Sequence, residues 1–351
     1  TLRGVEARSL QGRLSQALAL AGAAAMGCAD PDLGVTRAAE TRQLAIASGD
    51  PSAVVIASWA EAAAAHAKGE LPATLRAGLQ ETYALPDLAI TTFDGHLCVA
   101  ERLLYGNRPY AEVVAFADAL EAEAVRRGAA RGHAFATTLR GEARLLSGQL
   151  DEAAVDLTRG VELHRVIGAT GGQSLALQRL AEVSLHRGER GEAGRLLDDA
   201  LTTARDSALG FHLLDRIYGT RIAAAGGSGD AAAGFAAVEE AEDAVHGSME
   251  TCPGCRITLV VPAAIASAQA GDVERARRYE VAAERLTTVL MRLPGWYAAL
   301  DEVRGHRAAA EGDPDAACRH LQTAARRFGE AGQPLDRDRC ARAAALVGGN
   351  V

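Results

Sequence analysis

The residues best suited to chemistry cluster in METCPGCRITL, residues 249–259, where Cys252 and Cys255 flank Pro-Gly. Two thiols at this spacing, at the start of a helix, could supply half of a tetrahedral zinc site. They could equally form a redox pair, because the free N–H groups of a helix N-terminus lower a thiol pKa. His246 ends the preceding helical stretch, and His212 lies 41 residues before Pro253, at the same height in the adjacent repeat described below. Cys252, Cys255, His246 and His212 could thus converge on Zn²⁺. A reversible disulfide between the two cysteines and an inert Pro–Gly turn with two partly buried thiols are the alternatives. No second CxxC at finger spacing decides among them. Beyond this candidate zinc, no cofactor is expected.

Little else points to catalysis. No GxSxG, HExxH or glycine-rich phosphate loop occurs. The sole lysine, Lys68, follows Ala67 and precedes Gly69, which is not a Walker A arrangement. His133, His164 and His320 stand among Arg and Glu and read as solvated surface. The acid pairs Asp198-Asp199, Glu239-Glu240 and Glu242-Asp243 are adjacent in sequence. Neighbours on a helix diverge by about 100°, so such pairs cannot share a site. The expectation is a protein that is not an enzyme.

Composition says what scaffold must hold these residues. The 351 residues are 48% hydrophobic but only 4% aromatic, with 10 prolines. Buried surface must come from Ala, Leu and Val, which suits closely packed helices with few interruptions. A formal net charge of −8 is a poor footprint for nucleic acid. No apolar run reaches the roughly 20 residues of a membrane span. Six cysteines in so long a chain do not make a disulfide scaffold. Cys28, Cys98, Cys318 and Cys340 read as buried thiols in a reducing cytoplasm. Residues 13–29 have the basic start, apolar middle and Cys of a secretion signal. Met26 fits a lipobox poorly, however, and the segment also suits a first helix. The expected location is cytoplasmic.

One phrase recurs: SGQLDEAAVDL from Ser147, RGERGEAGRLL from Arg187, AGDVERARRY from Ala270 and EGDPDAACRHL from Glu311. Aligned on its Gly, the anchors are Gly69, Gly106, Gly148, Gly188, Gly226, Gly271 and Gly312. The period is about forty, the signature of a solenoid. Seven residues before the anchors stand mostly small residues, among them Ala62, Gly141, Ala181, Gly219, Ala264 and Gly305. Five after stand Ala111, Ala153, Ala193, Ala276 and Ala317, with Gly234 if that repeat is counted from Gly229. Small residues at both places let two antiparallel helices touch. The Gly supplies a left-handed turn, and the Asp, Glu or Asn after it opens the second helix and suits its dipole. An atypical first pair is expected over residues 1–49 and a capping helix over 333–347, with no linker between them.

Small residue, Gly–Asp turn and Ala in this order resemble the tetratricopeptide repeat (TPR) over essentially the whole chain. The longer period and the Ala- and Arg-rich composition resemble the sensor region of large ATP-binding LuxR-family transcription regulators of the maltose-regulator type. The closing phrase FGEAGQPLDRDRCARA is similar to one that ends such regions. The resemblance implies an all-α, right-handed α-solenoid of about eight TPR-like helix pairs plus a C-terminal capping helix. It implies a concave groove lined by the first helix of each pair, at ten, six and three residues before each anchor. Those columns contain Trp59, His66, His96, Thr138, Glu142, Gln178, Glu182, Arg216, Glu302 and His306. They read either as a solvated inner wall or as a groove for a protein, a peptide or a small-molecule effector. The function implied is a non-catalytic interaction or effector-sensing region of a transcription regulator. A stand-alone peptide-binding adaptor and a zinc- or redox-linked module are the alternatives, with no direct contact to nucleic acid or membrane.

Overall fold

The computed structural model describes residues 9–25, 27–68, 70–71, 73–74, 76–77, 100–207, 210–227, 229–245 and 254–349. Among them every regular element is helical. The chain opens with α1 (Leu10–Ala25), α2 (Pro31–Ser48) and α3 (Pro51–Lys68), which pack on one another. A 3₁₀ turn, Glu101–Leu103, precedes α4 (Tyr110–Arg127). Helix–turn–helix pairs follow: α5 (Ala130–Leu146) with α6 (Leu150–Val166), then α7 (Thr170–His186) with α8 (Arg190–Arg205). Next come α9 (Phe211–Gly226) with α10 (Ala231–Ala244), and α11 (Ile257–Gln269) with α12 (Val273–Arg285). After a π-helical segment, Leu286–Met291, α13 (Pro294–Ala310) pairs with α14 (Pro314–Glu330), and α15 (Pro334–Gly348) packs on α14 as a cap. The architecture is an all-α, TPR-like solenoid.

The turns follow the physics read from the sequence. Gly148 has φ +82°, and its N–H reaches the Leu145 carbonyl at 3.0 Å while that of Gln149 reaches Arg144 at 2.8 Å. Two of the carbonyls orphaned at the end of α5 are thereby satisfied. Asp230, Asp272 and Asp313 cap the next helix, accepting from the N–H three residues on at 2.9–3.0 Å. Glu189 makes no such bond. One anchor moves: Gly226 is helical, and the left-handed residue is Gly229. The steps between Gly148, Gly188, Gly229, Gly271 and Gly312 are then 40, 41, 42 and 41 residues.

The small columns lie where the paired helices cross. Ala153, Ala193, Ala276 and Ala317 have no exposed surface. A Cβ on Gly141 would sit 2.8 Å from Leu157 Cγ, and one on Gly305 would sit 2.6 Å from Leu321 Cγ. Ala111 is exposed instead. The Asn-Arg-Pro after Gly106 delays the start of α4 to Tyr110, and Val113 takes the buried place.

The curved array closes on itself. Gly106 (φ +79°) lies so near the α14–α15 turn that an added Cβ would be 2.6 Å from that of Ala331. Gly295 donates to the Tyr105 carbonyl at 2.7 Å. α1 meets the Leu286–Met291 segment. Of the scattered cysteines, Cys340 is buried, Cys318 is half-buried and Cys28 is exposed, contrary to the expectation of uniform burial; Cys98 lies outside the described residues. No helix among the described residues is long and apolar enough to cross a membrane.

Candidate functional site

The first helices of successive pairs form the inner wall, and it carries a connected set of charges. Arg179 on α7 donates from Nε to Glu142 on α5 at 2.8 Å and from Nη1 to Glu182, one turn along its own helix, at 2.9 Å. Its Nη2 donates to the Tyr105 hydroxyl at 2.9 Å and faces Glu101 at 3.4 Å. Arg216 on α9 pairs with Glu101 and lies 3.9 Å from the Cys255 sulfur. Gln178 donates to Glu182 at 2.7 Å and to the Thr220 hydroxyl of α9 at 2.8 Å. Glu101, Glu142, Gln178, Arg179 and Arg216 are all buried, none more than 4% exposed, whereas Glu182 keeps 26% of its side chain in solvent.

Burial and charge compete within this set. Burial raises the Glu142 carboxyl pKa above the usual range, and Arg179 only partly opposes it. Burial pushes Glu182 the same way, but Arg179 and Gln178 outweigh it and hold that carboxyl low. Burial disfavours the charge on Arg179, yet the three carboxylates around it keep it firmly protonated. Burial pushes the Tyr105 hydroxyl up to about 12, so it is a neutral phenol at physiological pH. Such sets are costly to desolvate and hold only if each charge is met.

The wall is occupied by the chain itself, which overturns the expectation of a solvated face. Residues 101–105, Glu-Arg-Leu-Leu-Tyr, lie against it and are all buried. Glu101 faces the two arginines. Arg102 donates to the Leu290 carbonyl at 3.2 Å, and its guanidinium sits 5.9 Å from the Trp59 ring centroid. Tyr105 stacks on Trp296 of α13, with centroids 4.5 Å apart and planes tilted by 31°.

The residues predicted from spacing do not all come together. Glu142, Gln178, Glu182 and Arg216 come together as described. Trp59 and His66 lie beside the 101–108 segment; burial first, then Arg102 and Arg108, lowers the His66 imidazole to about 4. Glu302 turns instead to the cap: Arg339 of α15 grips its carboxylate in a two-pronged contact at 2.7 and 2.6 Å. His306, its pKa lowered by burial, lies near that pair. Thr138 points between helices, bonding its own Ala134 carbonyl at 3.0 Å and His164 of α6 at 3.2 Å. His164 is therefore core and only 2% exposed, where a solvated surface position was expected. His96 lies outside the described residues.

Of the zinc candidates, Cys252 and His246 lie outside the described residues. Among those described, no three His, Cys, Asp or Glu side chains group as metal ligands. Cys255 is buried beside the Arg216 guanidinium, a cation that would repel a second cation there. His212 is half-buried on α9. Nearby, Asp215 is fully buried, paired with Arg256 at 2.7 Å through Oδ1, and burial raises its pKa to about 6.

Spacing alone missed Glu101, Tyr105, Arg179 and Trp296. For Arg179 a signal existed: Glu142, Arg179 and Arg216 recur at steps of 37 residues on successive first helices. The same separation joins Arg339 to Glu302 and Tyr279 to Glu242. Tyr105 lies one further step of 37 before Glu142, so it carried the same signal, whereas the partnership of Glu101 with Arg216 had none.

No protein-family model matches the sequence, and no curated protein matches it. Among solved structures, the chain is similar to that of a Rap protein complexed with competence and sporulation factor. The identity is 10%, 98% of this chain and 99% of that chain are covered, and the TM-score is 0.48. It is also similar to a circular tandem repeat protein with novel repeat topology and enhanced subunit contact surfaces. There the identity is 17%, the coverage 96% and 88%, and the TM-score 0.24. Both scores are low, and the helical-repeat architecture described above stands on the chain's own helices.

Proposed function

We propose that this chain is a non-catalytic binding scaffold whose inner wall receives polypeptide. One observation carries the reading. A five-residue stretch, Glu101–Tyr105, is held against the wall by ion pairs, a hydroxyl hydrogen bond and an aromatic stack. A wall that engages its own backbone and side chains this way has the chemistry to engage another chain's. Buried Arg and aromatic anchors, here Arg179, Arg216 and Trp296, are the residue types that dominate such contacts.

Selection of random peptides displayed on phage tests the proposal. Enriched peptides are expected to bind the wild-type chain and to lose at least tenfold in affinity for folded Arg216→Met. Enrichment that survives Arg216→Met unchanged would move the function off the inner wall.

The resemblance to LuxR-type sensor regions adds a context: binding would shift the array between two curvatures and so change what it contacts. A ligand can do this only by binding the two forms unequally. Sequencing the coding region on both sides for an ATPase module and a helix-turn-helix tests that context. If neither is present, the adaptor reading is favoured.

A further inference from the structure

The Glu101–Tyr105 contact is held at a local cost. Tyr105 has φ +55°, a left-handed conformation that a bulky non-glycine residue holds only where its surroundings over-determine it. Around it, two polar atoms lack any hydrogen-bond partner among the described residues, Trp296 Nε1 and Gln333 Oε1, and the Tyr110 hydroxyl has only the Tyr105 backbone beside it. Their residues are all more than nine-tenths buried. Gln333 and Tyr105 both press on Gly295, and Tyr110 packs on Gly332 of the same turn. The seam closing residues 101–110 onto α13 and the α14–α15 turn thus combines backbone strain with an unmet donor and an unmet acceptor.

The charge pattern points the same way. With Glu101 in place the wall holds Glu101, Glu142 and Glu182 against Arg179 and Arg216. Without it, two carboxyls face two guanidiniums, and Arg216 loses the carboxylate it pairs with. Arg179 keeps Glu142 and Glu182. The wall left behind is balanced and has one guanidinium ready for an incoming carboxylate. Trp296 would then await an aromatic ring about four residues along.

We propose that Glu101–Tyr105 is an internal ligand, and that its place is a site for an acidic peptide carrying Glu-x-x-x-Tyr or a close equivalent. This rests on the binding-scaffold reading above and names its partner class. The carboxylate selects Arg216, with Arg179 beside it; the ring selects Trp296 and the Arg179 N–H. An external peptide gains what the internal segment gives up, so the two compete.

Two fluorescein-labelled heptapeptides provide the test: AERLLYG, which copies residues 100–106, and the same peptide with Gln for Glu. The full-length Glu101→Gln variant is expected to bind AERLLYG at least ten times more tightly than wild type does. It should prefer AERLLYG to the Gln peptide by a similar factor, and adding Arg216→Met should remove that preference. In wild type, millimolar AERLLYG is expected to speed amide hydrogen exchange of residues 101–106 more than the Gln peptide does. This arm does not depend on any variant folding. Equal binding of both peptides with equal exchange overturns the carboxylate site while leaving the scaffold reading intact. Binding of neither peptide, with exchange unchanged, overturns the internal-ligand inference. Only an empty phage selection as well would take the scaffold reading with it.

Discussion

His164 offers a quantitative test of how tightly the pairs are packed. Its ring lies between α6 and α7, in contact with Gly172, and is 2% exposed. Thr138 has one hydroxyl proton and gives it to the Ala134 carbonyl at 3.0 Å. His164 Nε2, 3.2 Å from that oxygen, must therefore be the protonated nitrogen of the neutral ring. Nδ1 is buried and has no partner, so a second proton there would be a buried charge with no acceptor. Burial accordingly lowers the imidazole from 6.5 to about 4. The unfolded chain binds this proton more readily, so stability falls as pH drops from about 6.5 towards 4. At ~1.4 kcal/mol per pH unit the full effect is about 3 kcal/mol, of which about 2 kcal/mol is expressed at pH 5. His66, His186 and His306 shift in the same direction, so wild type should lose more than this in total. His164→Gln, neutral at every pH, isolates the one residue. Urea unfolding followed by circular dichroism at about pH 7.5 and pH 5 should show the variant losing about 2 kcal/mol less than wild type. In wild type, the His164 imidazole NMR signal should not titrate above about pH 5. Equal losses in the two proteins, or a native His164 signal titrating near 6.5, would refute the buried neutral ring.

Other perturbations probe different parts of the array. Gly305→Ala places a methyl 2.6 Å from Leu321 Cγ and should cost about 1–3 kcal/mol in thermal or urea unfolding. Gly194→Ala, where a Cβ meets nothing within 4 Å, should stabilise by about 0.5–1 kcal/mol. Arg179→Met leaves Glu142 buried without its guanidinium and should cost about 3–5 kcal/mol. Glu142→Gln should recover part of that in a double-mutant cycle, and strict additivity would argue against the pairing. Arg339→Ala removes the two-pronged grip on Glu302, whose carboxyl burial would raise but Arg339 holds low. The pair's contribution is present above about pH 4.5 and fades as pH falls through the lowered native value. Hydrogen exchange of residues 334–348 should rise in this variant at pH 7, and the difference from wild type should shrink in acid.

Much of this fold is local, and local physics is written in the residues themselves. A left-handed glycine, an aspartate that caps the next helix and an alanine at a crossing depend on neighbours within a few positions or one pair. Each recurs about every forty residues, so repetition averaged away the misplaced anchor at Gly226; Gly69 lies outside the described residues. Because neighbouring pairs stack in a constant register, Glu142–Arg179 and Glu302–Arg339 also lie at a repeating separation, one residue or one helix away from where the columns were drawn. The closure was not legible. Glu101 meets Arg216, and Tyr105 meets Trp296, across well over a hundred residues and several pairs. Whether they meet depends on the small rotation added at every pair, summed around the array, and no single repeat specifies that sum. Sequence alone therefore determined the helices and their turns, and it picked out Glu142, Gln178, Glu182 and Arg216 while missing Arg179 and Trp296 beside them. Only the tertiary structure decided that the inner face is buried rather than wet, because burial there is set by the curvature of the whole array and by the segment it encloses.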